Sequence, residues 1–503
     1  MTHIETLQPY INGEYIDSKT TTWQKVFNPS TGEEIAKVPC CTEEEVAAAI
    51  AAAKDAFPTW QATPVRKRVS YFFKLRELIV KHMDELTMIL ARENGKNWSE
   101  AAGDVGKALE MTELACSATS LLMGESLQDT STGYDTVLYR EALGVCAGIA
   151  PWNFPAMIPM GWMTPLSVVC GNTFVLKPAS TTPMTSLRFA KLYEEAGFPK
   201  GVINVVPCTN VESEFIVKHP DVKAITFVGS TAVGRHVYAT AAAHGKRVQA
   251  LCEAKNHALV LKDAPITRTA AGIMNSSFGC AGQRCMALPV VVVEEEIADQ
   301  LVEEIIRLCQ NQSIGPAYDK ATDLGPVGSA SHKQYVFDRI EQGVQEGATL
   351  VLDGRNVKVE GYEDGYYIGH TIFDHVSEEM NVGQREIFGP VLCIKRVKNF
   401  EEGLEMMNRN PFGNGSVIFT QNGYYAREFT RHTHGGMVGV NVGIPVPMGA
   451  FPFTGHKESF FGDLHCHGKD AFRFYTEEKT VTSRWFDEDE MKKEKVDSWD
   501  GSL

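Results

Sequence analysis

The regular alternation of strand-like and helical segments through the middle of the chain is the strongest constraint on its fold. The strand-like segments are short and apolar, and the segments between them have helical periodicity. The strand-like segments are 136–150, 172–178, 201–206 and 224–228, and the intervening helices are predicted at 159–170, 183–196 and 210–218. Because short strands that alternate with helices form βαβ units, the sequence predicts a parallel sheet.

The second half of the chain repeats this alternation, and the first part adds a helical layer. Thr42 has the position of an N-cap, and the helix after it is predicted to stop before Pro58. Residues 471–483 are predicted to be β-like. The other strand-like runs are 257–262, 289–294 and 415–420, and the other helices are predicted at 65–95, 99–123, 233–243, 267–277, 295–311, 331–346, 401–408 and 424–432. The fold class that follows is α/β.

Charge and cysteine usage exclude several classes of function. The formal net charge of −15 argues against a nucleic-acid surface or an anionic membrane surface, since both need a basic patch. No signal peptide is visible, and no apolar run reaches the roughly 18 residues needed to cross a bilayer. The twelve cysteines show no paired spacing, and Cys280 and Cys285 lack nearby histidines for zinc. We therefore expect a cytoplasmic protein with reduced cysteines and no metal.

The segment Phe278-Gly-Cys-Ala-Gly-Gln-Arg-Cys-Met286 is a candidate for a nucleophile loop. It combines a glycine-containing turn with Cys285, and a thiol on such a turn can face a pocket. Backbone N–H groups can then stabilise the thiolate and an oxyanion formed on it. The alternative is a buried structural cysteine, which must describe most of the twelve.

Four further motifs stand at the ends of predicted strands or on stiff turns. The turn Gly229-Ser-Thr-Ala-Val-Gly234 precedes a helix, where backbone amides can bind a dinucleotide phosphate, although a plain turn has the same pattern. Lys177 ends a strand, at the edge where open α/β sheets bind ligands, or is a solvent-facing lysine. Asn153 lies between two prolines and can point its amide at an oxyanion or stabilise a turn. Glu386 precedes an apolar turn and can bind a ribose or end a helix.

Taken in order, these motifs resemble those of the aldehyde dehydrogenase superfamily over residues 8–486. The carriers are Pro151-Trp-Asn-Phe-Pro155, Lys177-Pro178, Phe227-Val-Gly-Ser230 with Gly234, Gly282-Gln-Arg-Cys285 and Glu386-Ile-Phe-Gly-Pro390. Within the superfamily, the chain is most similar to the methylmalonate-semialdehyde (malonate-semialdehyde) dehydrogenases that acylate coenzyme A. The motifs that carry this more specific similarity are Lys246–Ala250, Ala254–His257, Phe278–Ala287, Ile444–Pro447, and Phe453-Thr-Gly with Ser459–Gly462.

The resemblance implies a role for each motif. Cys285 would attack the aldehyde, Asn153 and the Cys285 N–H would form the oxyanion hole, and hydride transfer to a nicotinamide would leave a thioester on Cys285. Lys177 would bind the adenosine ribose, Ser230 the pyrophosphate and Glu386 the nicotinamide ribose. The other residues implied in the cofactor site are Trp152, Ser180, Gly229, Gly234 and Phe388. Because Ser180 stands where many NAD-preferring relatives have a glutamate, both NAD and NADP stay open.

The release of the thioester decides between two enzymatic hypotheses. Hydrolytic relatives use a glutamate to activate water, and Leu251 occupies that position here. The first hypothesis is therefore transfer to coenzyme A. The second is hydrolysis with Glu253 as a relocated base. A third hypothesis, a non-enzymatic member, is opposed by the joint presence of Cys285, Asn153, Lys177 and Glu386.

Two cations are candidates for binding the tail of the aldehyde. Arg284 precedes the nucleophile and can pair with a carboxylate or a sulfonate, or can order the loop. Lys107 stands where the resemblance places a second arginine. We expect malonate or methylmalonate semialdehyde, with acetyl-CoA or propionyl-CoA and CO2 as products. For the hydrolytic hypothesis, we expect succinate semialdehyde or a sulfonated aldehyde.

We expect an aldehyde dehydrogenase-like fold of three interleaved parts. The predicted parts are a Rossmann-type cofactor domain at 1–125 and 148–251, an α/β catalytic domain at 252–465, and a β-hairpin oligomerisation arm at 126–147 and 466–486. Because the open edges of such an arm need partners, a homodimer or homotetramer is expected. Residues 487–503 are charged and are predicted to form a mobile tail.

Overall fold

The computed structural model describes residues 4–493. Across these residues the α-helices are α1 (Glu43–Ala62), α2 (Val65–Lys81), α3 (Met83–Asn94), α4 (Trp98–Cys116), α5 (Ala118–Leu121), α6 (Thr164–Val169), α7 (Pro183–Ala196), α8 (Asn210–Lys218), α9 (Thr231–Ala243), α10 (Ile266–Phe278), α11 (Glu295–Gln310), α12 (Ala330–Gln345), α13 (Asn381–Gln384), α14 (Phe400–Arg409), α15 (Gly423–His432) and α16 (Gly468–Phe474). A π-helical segment at Met157–Met163 precedes α6, and short 3-10 turns lie at Gly279–Gly282 and Glu490–Lys492. None of the helices within residues 4–493 combines the length and apolar character that spanning a membrane requires.

The strands of the described range form two large and three small sheets. They are β1 (Glu5–Thr6), β2 (Tyr10–Ile11), β3 (Glu14–Tyr15), β4 (Trp23–Phe27), β5 (Glu34–Pro39), β6 (Ser126–Ser131), β7 (Tyr134–Ala142), β8 (Val145–Ile149), β9 (Thr173–Lys177), β10 (Ile203–Val205), β11 (Val222–Val228), β12 (Arg247–Leu251), β13 (His257–Val260), β14 (Val290–Glu294), β15 (Thr349–Leu352), β16 (Thr371–Asp374), β17 (Val391–Val397), β18 (Phe412–Gly413), β19 (Gly415–Phe419), β20 (Met437–Val440), β21 (His456–Lys457), β22 (Phe460–Phe461) and β23 (Thr476–Arg484).

The first large sheet has the strand order β22-β12-β11-β8-β9-β10-β2-β3. Its five central strands, β8 to β12, are parallel, and the remaining strands pair antiparallel at the edges. From β8 the chain builds outward to β9 and β10 on one side, and then to β11 and β12 on the other. The order therefore reverses between β8 and β11. Open α/β sheets bind ligands in the crevice at such a reversal, beyond the carboxyl ends of the strands.

The central strands of this sheet are buried on both faces, as expected of parallel strands between helices. On one face, Val145 and Val175 pack with apolar side chains of α1 such as Ile50. On the other face, Cys146 and Phe174 join the core that includes α2, α4 and α7. Successive side chains along a strand point to opposite faces of the sheet, so one apolar run contributes side chains to both cores.

The second large sheet has the order β15-β16-β17-β14-β13-β19-β20, and all its neighbours are parallel except β15 and β16. Its central strand β14 consists of four valines and Glu294, all buried. The nucleophile loop enters this strand directly from α10. Because Cys285 lies a few residues before the fully buried β14, its position is fixed by this strand.

A third sheet projects from these two and has the order β23-β7-β6. β7 and β23 pair antiparallel over nine residues, from Tyr134 opposite Arg484 to Ala142 opposite Thr476. Leu127, Tyr139 and Val481 are large apolar side chains exposed on this sheet. The sheet lies within the residues of the predicted arm.

Several predicted elements match the structure, and others differ from it. The helices predicted at 65–95 and 99–123 are each divided in two, at His82 between α2 and α3 and at Ser117 between α4 and α5. Helices α7 and α8 have the predicted bounds, and Thr42 forms a capping box with Glu45. However, α1 continues through Pro58, because the buried Trp60 anchors its last turn and donates from Nε1 to the Val168 carbonyl at 2.9 Å.

The remaining differences concern strands. Of the predicted β-like segment 471–483, residues 476–483 lie in β23, whereas 468–474 are helical, since the buried Ala471, Phe472, Phe474 and Tyr475 follow a helical spacing. In the two large sheets, strands β12, β15, β16, β17 and β20 were not predicted, because runs this short have no distinctive period. Of the predicted tail, 487–493 contain the 3-10 turn, where Glu490 pairs with Arg484 at 2.7 Å, and 494–503 lie outside the described residues.

A buried ion pair joins α4 to the loop that carries Asn153. Lys96 Nζ lies 2.7 Å from Asp104 Oδ2, and the two side chains are 1% and 0% exposed. The other oxygen of Asp104 accepts from the Met157 N–H at 2.7 Å, and Lys96 Nζ lies 3.3 Å from the centre of the Phe154 ring. This network satisfies both charges and clamps the loop after β8 on either side of its second proline.

Replacing Asp104 by alanine is expected to destabilise the protein by about 3–5 kcal/mol, because it leaves the Lys96 charge buried and unpaired. Urea denaturation followed by circular dichroism measures the change. Asp55→Ala, on the exposed face of α1, is the matched control and is expected to shift stability by less than about 0.5 kcal/mol. An Asp104→Ala protein that unfolds at the same urea concentration as the parent would contradict the clamp.

Candidate active site

A cleft of about 740 Å³ opens at the strand reversal of the first large sheet. The segments that follow β8, β9, β11 and β12 all contribute to its walls, as the parallel arrangement requires. The predicted site residues that line it are Trp152, Asn153, Lys177, Ser180, Gly229, Ser230, Cys285, Glu386 and Phe388. Residues from both large sheets therefore meet in one cleft.

The wall after β11 presents the N-terminus of α9. Ser230 is the N-cap residue, and its side chain makes no capping hydrogen bond. Gly234, a predicted cofactor-site residue, is buried in the first turns of α9, where an added Cβ would collide with Cys252 Sγ and crowd Phe227. The glycine therefore allows the helix to pack closely against the sheet.

Aromatic rings enclose the middle of the cleft. Trp152 meets Phe388 edge-to-face at 5.5 Å between ring centres, and meets His332 at 5.6 Å. Phe388 has a φ of 59°, and its carbonyl accepts from His332 Nε2 at 2.6 Å when that nitrogen carries the proton. The left-handed backbone at Phe388 costs energy, and His332 helps to stabilise it.

The nucleophile loop runs from α10 to β14 with an unusual backbone. Cys280, Ala281 and Gly282 have φ values of 53°, 52° and 71°. At Gly282 an added Cβ would also overlap the carbonyl of Gly389, so glycine is required there for two reasons. The turn brings the loop against the segment that carries Glu386 and Phe388.

Amide side chains hold the loop around Cys285. Asn256 Nδ2 donates to the Cys285 carbonyl at 2.7 Å and to the Ala287 carbonyl at 2.8 Å, and Asn414 Nδ2 donates to the Cys285 carbonyl at 3.0 Å. Asn153 Nδ2 donates to the Gln283 carbonyl at 3.1 Å. The second hydrogen on Asn153 Nδ2 remains to serve an oxyanion.

The roles of Asn256 and Asn414 were not found from sequence. Asn256 belongs to a motif that carried the family resemblance, Ala254–His257, and this was the available signal. Its contacts are with residues 29 and 31 positions away, and those of Asn414 are more distant still.

Burial and a nearby carboxylate govern the protonation of Cys285. Ten of the twelve cysteines are buried, whereas Cys116 and Cys285 are partly exposed. Burial raises the pKa of the Cys285 thiol to about 12, with a further increase from Glu386. Burial also raises the pKa of Glu386 to about 8, although its carboxylate accepts from the Ala254 N–H at 3.1 Å. The thiol is therefore protonated at neutral pH.

At the end of β12 the chain has Leu251 at the position where hydrolytic relatives have a water-activating glutamate. Leu251 is buried at the end of the strand. Glu253 lies on the cleft wall, and its Oε2 accepts from the Thr231 N–H at 3.0 Å, at the start of α9. The Glu253 N–H donates in turn to Thr231 Oγ1 at 3.3 Å. Its carboxylate is thus held at the helix terminus.

A second cavity of about 340 Å³ lies on the other side of the nucleophile and contains both predicted tail-binding cations. Arg284 pairs with Glu100 at 3.2 Å, and Lys107 pairs with Glu110 at 2.6 Å. The apolar part of the wall consists of Phe154, Met157, Met286, Ile444, Val446 and Phe453.

Cys285 lines both cavities. An electrophilic carbon bound at its sulfur can therefore face the large cleft while its polar tail lies beside Arg284 and Lys107. The arrangement suits nucleophilic catalysis between a bound cofactor and a small anionic molecule.

Comparisons with known proteins agree with this geometry. The aldehyde dehydrogenase family model matches residues 15–481. The chain is 48% identical to malonate-semialdehyde dehydrogenase 2 of Geobacillus kaustophilus over 484 residues, which are 96% of this chain and 100% of that protein. It is 47% identical to malonate-semialdehyde dehydrogenase 1 of Geobacillus thermodenitrificans over 96% of this chain and 100% of that one.

Solved structures give the same result. A candidate methylmalonate-semialdehyde dehydrogenase of Sinorhizobium meliloti, solved with NAD, has a TM-score of 0.95 at 40% identity and covers 97% of this chain and 99% of that one. Methylmalonate-semialdehyde dehydrogenase of Oceanimonas doudoroffii has a TM-score of 0.94 at 42% identity, with 96% and 99% coverage. The family and fold predicted from the sequence are confirmed.

Alkylation of Cys285 by iodoacetamide is expected to accelerate about tenfold per pH unit, because its raised pKa keeps the thiolate scarce. At pH 9, Glu386→Gln should react severalfold faster than the parent, since it removes a negative charge that raises the thiol pKa. At pH 6 the two rates should converge, because Glu386 is then already protonated.

Mass spectrometry of the Cys285 peptide follows this reaction. Cys116 is the internal control, because it is also partly exposed and should react equally in both proteins. Equal alkylation of Cys285 in the two proteins at pH 9 would show that Glu386 does not act on the thiol.

Proposed function

The chain belongs to the aldehyde dehydrogenase family, and we propose that it oxidises malonate or methylmalonate semialdehyde and transfers the acyl group to coenzyme A. The observation that carries the proposal is Cys285 between two cavities, with Leu251 where a water-activating carboxylate would stand. The products are acetyl-CoA or propionyl-CoA and CO2. The names of the similar proteins support the substrate class.

The donor set of the large cleft fits a nicotinamide dinucleotide. Lys177 can bind the adenosine ribose, the amides at Ser230 and the start of α9 can bind the pyrophosphate, and Glu386 can accept from the nicotinamide ribose. When bound, the dinucleotide supplies the hydride acceptor. NAD has support from a similar protein solved with it, and Ser180 leaves room for NADP.

The chain's own residues carry the remaining chemistry. The Cys285 thiolate attacks the aldehyde carbon, and the second N–H of Asn153 and the Cys285 N–H stabilise the resulting oxyanion. Loss of hydride from this carbon re-forms the carbonyl and leaves a thioester on Cys285. The malonyl or methylmalonyl thioester on Cys285 then loses its terminal carboxylate as CO2, and the electron pair of the broken C–C bond takes up a proton at the α-carbon, which leaves an acetyl or propionyl thioester. The coenzyme A thiolate attacks the carbon of this thioester, and Cys285 leaves as a thiolate.

The small cavity selects the anionic tail. A substrate carboxylate beside Arg284 would join the Arg284–Glu100 pair, and Lys107 would supply a second positive charge with one point of contact instead of a bidentate fork. The apolar lining leaves room for the methyl group of methylmalonate semialdehyde.

The hydrolytic alternative has less support. Glu253 would have to leave its hydrogen bond with the Thr231 N–H to activate water at Cys285. Its carboxylate and its N–H both hydrogen-bond Thr231 at the start of α9, on the proposed cofactor side of the cleft.

We propose the predicted assembly and compartment on separate grounds. The three-stranded sheet has exposed apolar side chains and unpaired edges at β6 and β23, which favours a homodimer or homotetramer. It supports the predicted division into a cofactor domain (1–125 and 148–251), a catalytic domain (252–465) and an arm (126–147 and 466–486). The twelve free cysteines favour the cytoplasm.

Asn256→Asp is expected to lower kcat/KM by about 100-fold, because it removes both donors that position the Cys285 and Ala287 carbonyls. The affinity for NAD, measured by calorimetry, should stay unchanged. Asn275→Asp, the same change on an exposed position of α10, is the control and should leave turnover intact. Full activity of the Asn256→Asp enzyme would contradict the conclusion that Asn256 positions the nucleophile loop.

Incubation with malonate semialdehyde and NAD is expected to give steady NADH formation only when coenzyme A is present. Without coenzyme A, we expect one burst that matches the number of active sites, because the thioester on Cys285 is not discharged. Cys285→Ala should abolish both while still binding NAD. Turnover that is unchanged without coenzyme A and is lost in Glu253→Gln would favour the hydrolytic enzyme instead.

A further inference from the structure

Glu253 occupies the anion-binding end of α9. Its Oε2 accepts from the N–H of Thr231, the first residue of the helix, at 3.0 Å. The reverse hydrogen bond joins the Glu253 N–H to Thr231 Oγ1, and Ser459 Oγ donates to the Glu253 carbonyl at 2.7 Å. Backbone and side chain are thus both anchored, so the carboxylate has a defined place on the cleft wall.

The same helix end is where a dinucleotide phosphate would bind in the proposed function. The first amides of a helix are unsatisfied donors and carry partial positive charge, which attracts anions. The Glu253 carboxylate satisfies the Thr231 amide. A pyrophosphate at Ser230 must therefore displace a carboxylate or bind beside it.

The surroundings do not neutralise this carboxylate. Across residues 4–493, no lysine, arginine or histidine forms an ion pair with Glu253, and Arg235 on α9 is paired with Glu458 at 2.6 Å. A second carboxylate, Glu386, lies near enough for Glu253 to contribute to the raised pKa of Glu386. Because the pKa of Glu386 is raised to about 8, Glu386 is mostly protonated at neutral pH, and Glu253 supplies the negative charge where an anionic ligand is expected.

We propose that Glu253 is an affinity-determining residue that weakens the binding of the dinucleotide by competing with its pyrophosphate for the N-terminus of α9. The inference rests on the proposed function, because it requires a dinucleotide in the large cleft. Glu253 keeps the helix terminus satisfied when the cleft is empty and repels the pyrophosphate when it is filled. Weak binding of this kind favours rapid release of the reduced dinucleotide after hydride transfer.

The variant Glu253→Gln tests the role of the charge. The glutamine oxygen can still accept from the Thr231 N–H, so the hydrogen bond is kept and only the charge is removed. Isothermal calorimetry at one pH and salt concentration should show NAD and ADP-ribose binding about tenfold more tightly to the variant than to the parent. Adenosine, which has no phosphate, should bind equally to both. In stopped-flow fluorescence, NADH should dissociate more slowly from the variant.

Two further measurements separate a charge effect from other causes. Glu303→Gln, on the exposed face of α11, makes the same change in net charge far from the cleft and should leave every affinity unchanged. The thermal midpoint of Glu253→Gln shows whether the helix terminus is intact.

The possible outcomes are distinct. Unchanged or weaker NAD binding in Glu253→Gln, or equal tightening of adenosine, would overturn the inference and leave the proposed function standing. Failure of NAD and NADP to bind to the parent and to both variants would overturn the proposed function together with the inference.

Discussion

The hydrogen bonds of Asn256 are the constraint on which the site depends. The residue lies immediately before β13, and its Nδ2 holds the carbonyls of Cys285 and Ala287. Its Oδ1 accepts from the Gly415 N–H at 2.8 Å, at the start of the neighbouring strand β19. One buried amide therefore ties the nucleophile loop to two central strands. Because buried donors without partners are costly, this network specifies a single loop conformation.

The first sheet reaches the same loop through the segment after β8. Lys96 and Asp104 clamp that segment, and Asn153 projects from it to the Gln283 carbonyl. The backbone of Gln283 is thus held from one sheet and that of Cys285 from the other. Hydrogen bonds from both sheets thus position the nucleophile loop beside the cleft, and such positioning favours attack by the sulfur on a bound carbon.

The two cavities at Cys285 have different linings. The large cleft has Glu253 and Glu386 together with Lys177, and the small cavity has Arg284 and Lys107, each paired with a glutamate. The guanidinium and ammonium groups of the small cavity are donors that can pair with the tail of an anionic aldehyde. Leu251 stands where hydrolytic relatives have a water-activating carboxylate, and a thioester without such a base persists until a thiol arrives.

The sequence by itself determined the α/β class, the bounds of helices such as α7 and, through the resemblance of its motifs to a known family, the residues that line the cleft. The class and the helix bounds follow from local signals, since periodicity, a proline at the start of α7 and the left-handed Gly197 after it act within a few residues. Only the tertiary structure decided that α1 passes Pro58, that α9 packs closely on the sheet at Gly234, and that Glu253 accepts from the first amide of α9. It also decided that Asn256 and Asn414 hold Cys285. Each of these depends on contacts between distant segments, and local patterns do not encode the partners that folding brings together.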